Sequence, residues 1–183
     1  SADTDAALGM AAGAAFVWDA SPGQKGEPDW IFKLAGTDTE ADDIFGTSVD
    51  IGETQLIAGA PGDAGPGNES GRSVGAAWIF DIQSGRSVRK LSPSNPMQGD
   101  RFGGAVAMSG NLAVIGAPLV DDPERNVGIA YIFDVETGEE LFALQPADLL
   151  ANDRFGSSVA IDGDRVIVAS SNHDEGARDA GAA

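Results

Sequence analysis

Apolar positions along this chain come in short runs, each broken by glycine, proline, asparagine or aspartate. Two kinds of run recur. Leu56-Ile57-Ala58-Gly59-Ala60 and Val114-Ile115-Gly116-Ala117 are almost continuously apolar, as expected of a strand covered on both faces. Ser87 to Leu91 and Glu140 to Leu144 roughly alternate apolar with polar residues, as expected of an outer, half-exposed strand. The chain carries 25 glycines and 9 prolines, which long helices tolerate poorly and many short strands joined by turns tolerate well.

The runs recur in a fixed phase. Phe-Gly, two small residues and Val appear as Phe45-Gly46-Thr47-Ser48-Val49, Phe102-Gly103-Gly104-Ala105-Val106 and Phe155-Gly156-Ser157-Ser158-Val159. The phenylalanines stand 57 and then 53 residues apart. Each motif is followed by the continuous apolar run, the third copy being Val166-Ile167-Val168-Ala169-Ser170. An aromatic element comes next in phase: Gly13-Ala14-Ala15-Phe16-Val17-Trp18-Asp19, Gly75-Ala76-Ala77-Trp78-Ile79-Phe80-Asp81 and Gly128-Ile129-Ala130-Tyr131-Ile132-Phe133-Asp134. Gly181-Ala182-Ala183 starts a further copy.

Each unit reads as four short strands, A to D, with strand A starting at Phe-Gly. Strand C ends in an Asp that opens a tight turn closed by Gly85 or Gly138 in a left-handed conformation. Four antiparallel strands repeated in this way describe a β-propeller blade. The fold class is therefore all-β, within one propeller segment over residues 1–183. It comprises a half blade over 1–35, blades over 45–91 and 102–144, and a complementary half blade over 155–183. Gly46, Gly59, Gly103, Gly116 and Gly156 are expected to let neighbouring blades approach closely, with Phe45, Phe102 and Phe155 filling the gaps between them. Closed propellers have about 4–8 blades, so the chain is expected to be part of a larger ring or to assemble from copies. A homodimer completing both split blades would form a ring of about six.

Charge narrows the partners. With 29 acidic against 11 basic residues the chain carries a net −18, which phosphate backbones and anionic membrane surfaces repel. Nucleic acid is excluded as a partner, and no run of about 18 apolar residues is present to insert in a membrane. The absence of cysteine excludes disulfides, thiolate metal sites and cysteine nucleophiles. The first residues, SADTDAALGM, lack the basic and apolar segments of a signal peptide.

Through its Phe-Gly, Gly-Ala-Pro and aromatic-Ile-Phe-Asp elements, the chain resembles the FG-GAP repeat family, the blades of the integrin α-chain propeller, in its bacterial-type variant. The resemblance implies an extracellular or cell-surface adhesion or ligand-binding module, not an enzyme, with a protein or glycan ligand. The alternatives it implies are a lectin-like propeller or a propeller domain accompanying a hydrolase. Many members hold calcium in the A–B loop. Here those connections, Asp50 to Gln55, Met108 to Asn111 and Asp162 to Arg165, are too short to supply the six or more oxygens calcium prefers, and read as hairpin turns. No cofactor is implied.

The longest and most acidic loops join strands B and C and emerge on one face. They supply the candidate binding residues Asp63, Asn68, Glu69, Asp121, Asp122, Glu124, Asp174 and Glu175. A weak metal site within one of them is the alternative to a solvated acidic rim. Asp43, Asp100 and Asp153, each two residues before the repeat Phe, are expected to bond turn backbone rather than substrate, because the position recurs. His173 is expected to be an exposed loop histidine. Trp18, Trp30 and Trp78 are expected to pack in the core or between blades, with sugar stacking as the functional alternative. Asn68-Glu69-Ser70 fits the N-glycosylation triplet.

Overall fold

The computed structural model describes residues 11–21, 29–65, 73–173 and 182, and the account that follows concerns these. Twelve strands form antiparallel meanders, with no helix among the described residues. Strands β1 (Ala15–Asp19) and β2 (Asp29–Leu34) make a two-stranded sheet. Strands β3 (Ser48–Ile51), β4 (Gln55–Ala60), β5 (Ala76–Asp81) and β6 (Ser87–Leu91) follow as a four-stranded sheet in chain order. Strands β7 (Ala105–Ser109), β8 (Leu112–Ala117), β9 (Ile129–Asp134) and β10 (Glu140–Leu144) repeat that order. Strands β11 (Phe155–Asp162) and β12 (Arg165–Ser170) form a second two-stranded sheet.

The run-length argument holds for the two four-stranded sheets, but not for the third continuous run, since β12 is partly exposed and Ile167 is 61% exposed. The continuously apolar β4 is buried from Leu56 to Ala60, and the alternating β6 is partly exposed. The turns follow their chemistry. After β5, the Asp81 carboxylate accepts from Ser84 N–H at 2.8 Å, and Gly85, with φ 65°, donates its N–H to the Asp81 carbonyl at 2.9 Å. After β9, Asp134, Thr137 and Gly138 repeat the arrangement at 2.7 and 2.8 Å. Between β7 and β8 and between β11 and β12 the connection is a two-residue hairpin, Gly110-Asn111 and Gly163-Asp164. Both glycines have φ near +55°, as a first turn residue of type II′ requires.

The Phe-Gly pairs do not begin strand A, with one exception. β3 starts at Ser48 and β7 at Ala105, and β11 alone reaches back to its phenylalanine. Phe45 and Phe102 instead form isolated parallel bridges to Gly13 and Gly75, at the start of the preceding sheet's C strand. The cause is steric. A Cβ on Gly75 would land on the Phe102 carbonyl oxygen, so only glycine lets the two backbones meet. Each bridge therefore sews one sheet to the next.

The core lies between sheets. Phe102, fully buried, packs with Ile57, Ile79 and Leu91 of the preceding sheet and with Tyr131 and Phe133 of its own. Its ring meets those two edge-on, with centroids 5.6 and 5.7 Å apart. Phe45 joins Leu34 of the first small sheet to Leu56, Trp78 and Phe80, and Phe155 packs on Val114 and Ala130. A buried Phe contributes about 1.5–3 kcal/mol by area alone, so these wedges carry much of the contact between sheets.

Trp78 is buried as expected, but Trp18 and Trp30 are each 57% exposed. They sit directly across from one another on the first two-stranded sheet, and no other sheet among the described residues buries them. The strand pattern alone does not show which sheets have a neighbour.

Candidate functional site

Because the strands alternate in direction, the B–C loops and the D–A connections meet at one rim of the sheets. Asp43, Asp100 and Asp153 organise it. Their carboxylates accept from the backbone N–H three residues earlier, that of Glu40 (2.7 Å), Met97 (3.0 Å) and Leu150 (2.8 Å). Their carbonyls accept from the B–C loops, from Gly62 (2.9 Å), Leu119 (3.3 Å) and Asn172 (3.2 Å). Each aspartate thus ties its own turn to the adjacent loop, as the recurrence of the position implies. Burial pushes the Asp43 and Asp100 carboxyls above the ordinary range, against the pull of the backbone bonds. The negative charge of Asp63 adds to the rise at Asp43, and that of Asp121 to the rise at Asp100.

The third copy differs from expectation. His173 is buried, with Nδ1 2.7 Å from Asp153 Oδ2. Asn172 docks on the Asp153 carbonyl, and this draws the next residue inward over a carboxylate that is 1% exposed. A buried carboxylate needs polar partners, and the ring nitrogen is one. The neighbouring hydroxyls are engaged elsewhere: Ser170 Oγ donates to the Asp153 carbonyl at 2.8 Å, and Ser171 Oγ bonds Asn172 Oδ1.

The candidate loop residues separate. Asp63 is buried; one carboxylate oxygen accepts from Gly65 N–H at 2.8 Å and the other lies 2.7 Å from Lys90 Nζ. Lys90 also reaches Asp38 at 2.9 Å and lies 5.2 Å from the centroid of the Trp78 ring. Burial alone would lower the Lys90 ammonium, but the bonds and charges of Asp63 and Asp38 outweigh it and raise it. Asp63 thus holds the first B–C loop to the outermost strand through Lys90. Asp121, Asp122 and Glu124 are exposed on the second B–C loop, which Asp121 stiffens by accepting from Asn126 N–H at 2.7 Å. Asn68, Glu69, Asp174 and Glu175 lie outside the described residues, as does Ser70 of the glycosylation triplet.

At the opposite rim a hollow of about 490 Å³ opens between the two four-stranded sheets, lined by Glu53, Gln55, Met108, Asn111 and Glu136. Sequence reasoning missed it, because its lining comes from turns of two different sheets. Among the described residues no group of three or more His, Asp or Glu side chains is placed to hold a metal ion. The A–B turns, three residues between β3 and β4 and two in each of the other copies, do not fit the calcium that many FG-GAP repeats hold there, since so few turn residues cannot surround the ion.

Four-stranded meanders, stitched by glycine–phenylalanine bridges and wedged by aromatic rings, define a module of propeller blades. The FG-GAP repeat model matches residues 31–80, 86–133 and 140–183, and the chain belongs to that family. Each matched unit starts at strand D of one sheet; the first two end in strand C of the next, so the sequence repeat itself spans the junction between sheets. No curated protein matches the chain.

Proposed function

We propose that this FG-GAP module is a non-catalytic recognition domain that binds a protein ligand at a cell surface through the B–C rim. The observation that carries the reading is the second B–C loop. Its exposed Asp121, Asp122 and Glu124 ride on a loop held at both ends, by the Asp100 carbonyl and by the Asp121–Asn126 bond. Rigid presentation lowers the ordering cost of binding, and an acidic rim selects a basic partner surface. The shifted carboxyls of Asp43 and Asp100 serve turn backbone, which supports a role without bond chemistry. Binding to cells or matrix-coated surfaces tests the reading. The D121N/D122N/E124Q variant should lose most adhesion, and wild-type adhesion should weaken as salt rises. Undiminished adhesion by the variant overturns it.

A second reading, carbohydrate binding between blades, is favoured by the 490 Å³ hollow and its amide and carboxylate lining. A glycan array probed with wild type and Gln55→Ala separates the two: hits lost in the variant favour the sugar site, and an array without hits removes it.

A further inference from the structure

The turns that lead from strand D to the next strand A share one backbone in all three copies but differ in their side chains. In each, an aspartate two residues before the wedge phenylalanine closes the turn, and the residue between them stands in the left-handed region: Ile44 at φ 54°, Arg101 at 57° and Arg154 at 59°. The carbonyls of these three residues accept from the N–H three positions on, that of Thr47 (3.2 Å), Gly104 (3.0 Å) and Ser157 (3.1 Å), which locks the conformation. Glycine fits such a backbone without strain, whereas a larger residue there costs stability. Arg101 and Arg154 stand there nonetheless, and both are exposed.

Each arginine comes with an apolar companion. At the position whose N–H bonds the turn aspartate stand Met97 and Leu150, 49% and 56% exposed. The first copy closes with the same bonds but carries Glu40 and Ile44, so the turn itself requires neither the apolar residue nor the arginine. Among the described residues neither guanidinium has a carboxylate partner, in a chain with 29 acidic residues. The second B–C loop joins the two turns into one bonded frame. Leu119 N–H donates to the Asp100 carbonyl at 3.3 Å, and the Arg125 and Asn126 carbonyls accept from Asn152 and Arg154 N–H at 2.8 and 3.1 Å.

We propose that Arg101 and Arg154 anchor the protein ligand on this rim, each taking one of its carboxylates while Met97 and Leu150 seat an apolar side chain beside it. The proposal rests on the reading of the B–C rim as the ligand-binding face and names the chemistry of the partner. A guanidinium grips a carboxylate through two parallel N–H bonds, which fixes the register of an acidic and apolar segment laid across the rim. The two anchors flank the loop of Asp121, Asp122 and Glu124. The partner surface therefore carries both signs, carboxylates one blade apart with a basic group between them. Local arginines are what lets a chain of net charge −18 receive carboxylates at all.

Selection of random displayed peptides on the intact chain, followed by affinity measurement of those selected, tests it. The expected result is enrichment of peptides that place Asp or Glu beside Leu, Met or Phe. Arg101→Gln and Arg154→Gln should each weaken these peptides about tenfold, through one lost charge pair. Arg101→Lys should restore only part of the loss, because an ammonium makes no bidentate pair. Arg101→Gly separates binding from folding. It relieves the left-handed strain, so Tm should rise while affinity falls as in Arg101→Gln. A Tm that falls together with affinity marks a structural arginine and overturns the proposal. Enrichment of Lys- or Arg-bearing peptides, whose binding is lost in D121N/D122N/E124Q but not in Arg101→Gln, overturns it and leaves the cell-surface reading standing. A selection that enriches no acidic peptide overturns it as well.

Discussion

The Lys90 ammonium lies 2.7 Å from the Asp63 carboxylate and reaches across the rim from the outermost strand to the first B–C loop. Asp63 is nearly enclosed, Lys90 only partly so, and the Trp78 ring closes one side of the ammonium. Removing the cation leaves a buried carboxylate without its counter-charge. Lys90→Met should cost about 2 kcal/mol, below the cost in a fully enclosed pair because water reaches Lys90. Asp63→Asn should cost less, since Asp38 still holds the ammonium and an amide oxygen can still accept from Gly65. Urea unfolding of both single variants and the double variant checks this; the double should cost less than the sum of the singles.

Gly75 and Gly110 both have positive φ, 92° and 56°, but their surroundings differ. At Gly110 a Cβ would meet nothing within 4 Å, so Gly110→Ala carries only backbone strain, about 1 kcal/mol. At Gly75 the same Cβ would strike the Phe102 backbone and force two sheets apart. Gly75→Ala should therefore cost at least about 3 kcal/mol, with the interblade cavity cost added to the strain. Thermal unfolding of the two variants compares them directly. Equal losses would show that the bridge does not set the sheet spacing.

Two pairs of aspartates should titrate on opposite sides of the ordinary value of 3.8. The carboxyls of Asp81 and Asp134 are held low, chiefly by bonds from Ser84 and from Thr137. Those of Asp43 and Asp100 are held high by burial. The signs of the linkage differ accordingly. Asp81 and Asp134 stabilise the fold above 3.8, and that contribution disappears as pH falls through their depressed values. The contribution of Asp43 and Asp100 is complete below 3.8 and is lost as pH climbs past their raised values. Stability should therefore rise as pH drops into the Asp43 and Asp100 window and fall at lower pH, as the turn aspartates protonate. Carboxyl-selective NMR titration reads all four midpoints; a depressed midpoint at Asp43 would contradict the burial argument.

Period and spacing were enough to place strands B, C and D, the tight turns after Asp81 and Asp134, and the wedge role of Phe45, Phe102 and Phe155, while strand A begins at Phe-Gly only in β11. These features are local or recur in every unit, so the chain itself repeats the evidence for them. The capping role of Asp43, Asp100 and Asp153 was legible for the same reason. What occurs once was not legible. The inward turn of His173 onto Asp153, the enclosure of Asp63 by Lys90, and the exposure of Trp18 and Trp30 each depend on what a neighbouring sheet or loop brings close. Sequence periodicity records which face of a strand is apolar, because the side chains alternate. It does not record whether anything stands against that face, which depends on contacts between residues far apart in the chain. Only the packed arrangement of sheets decides that.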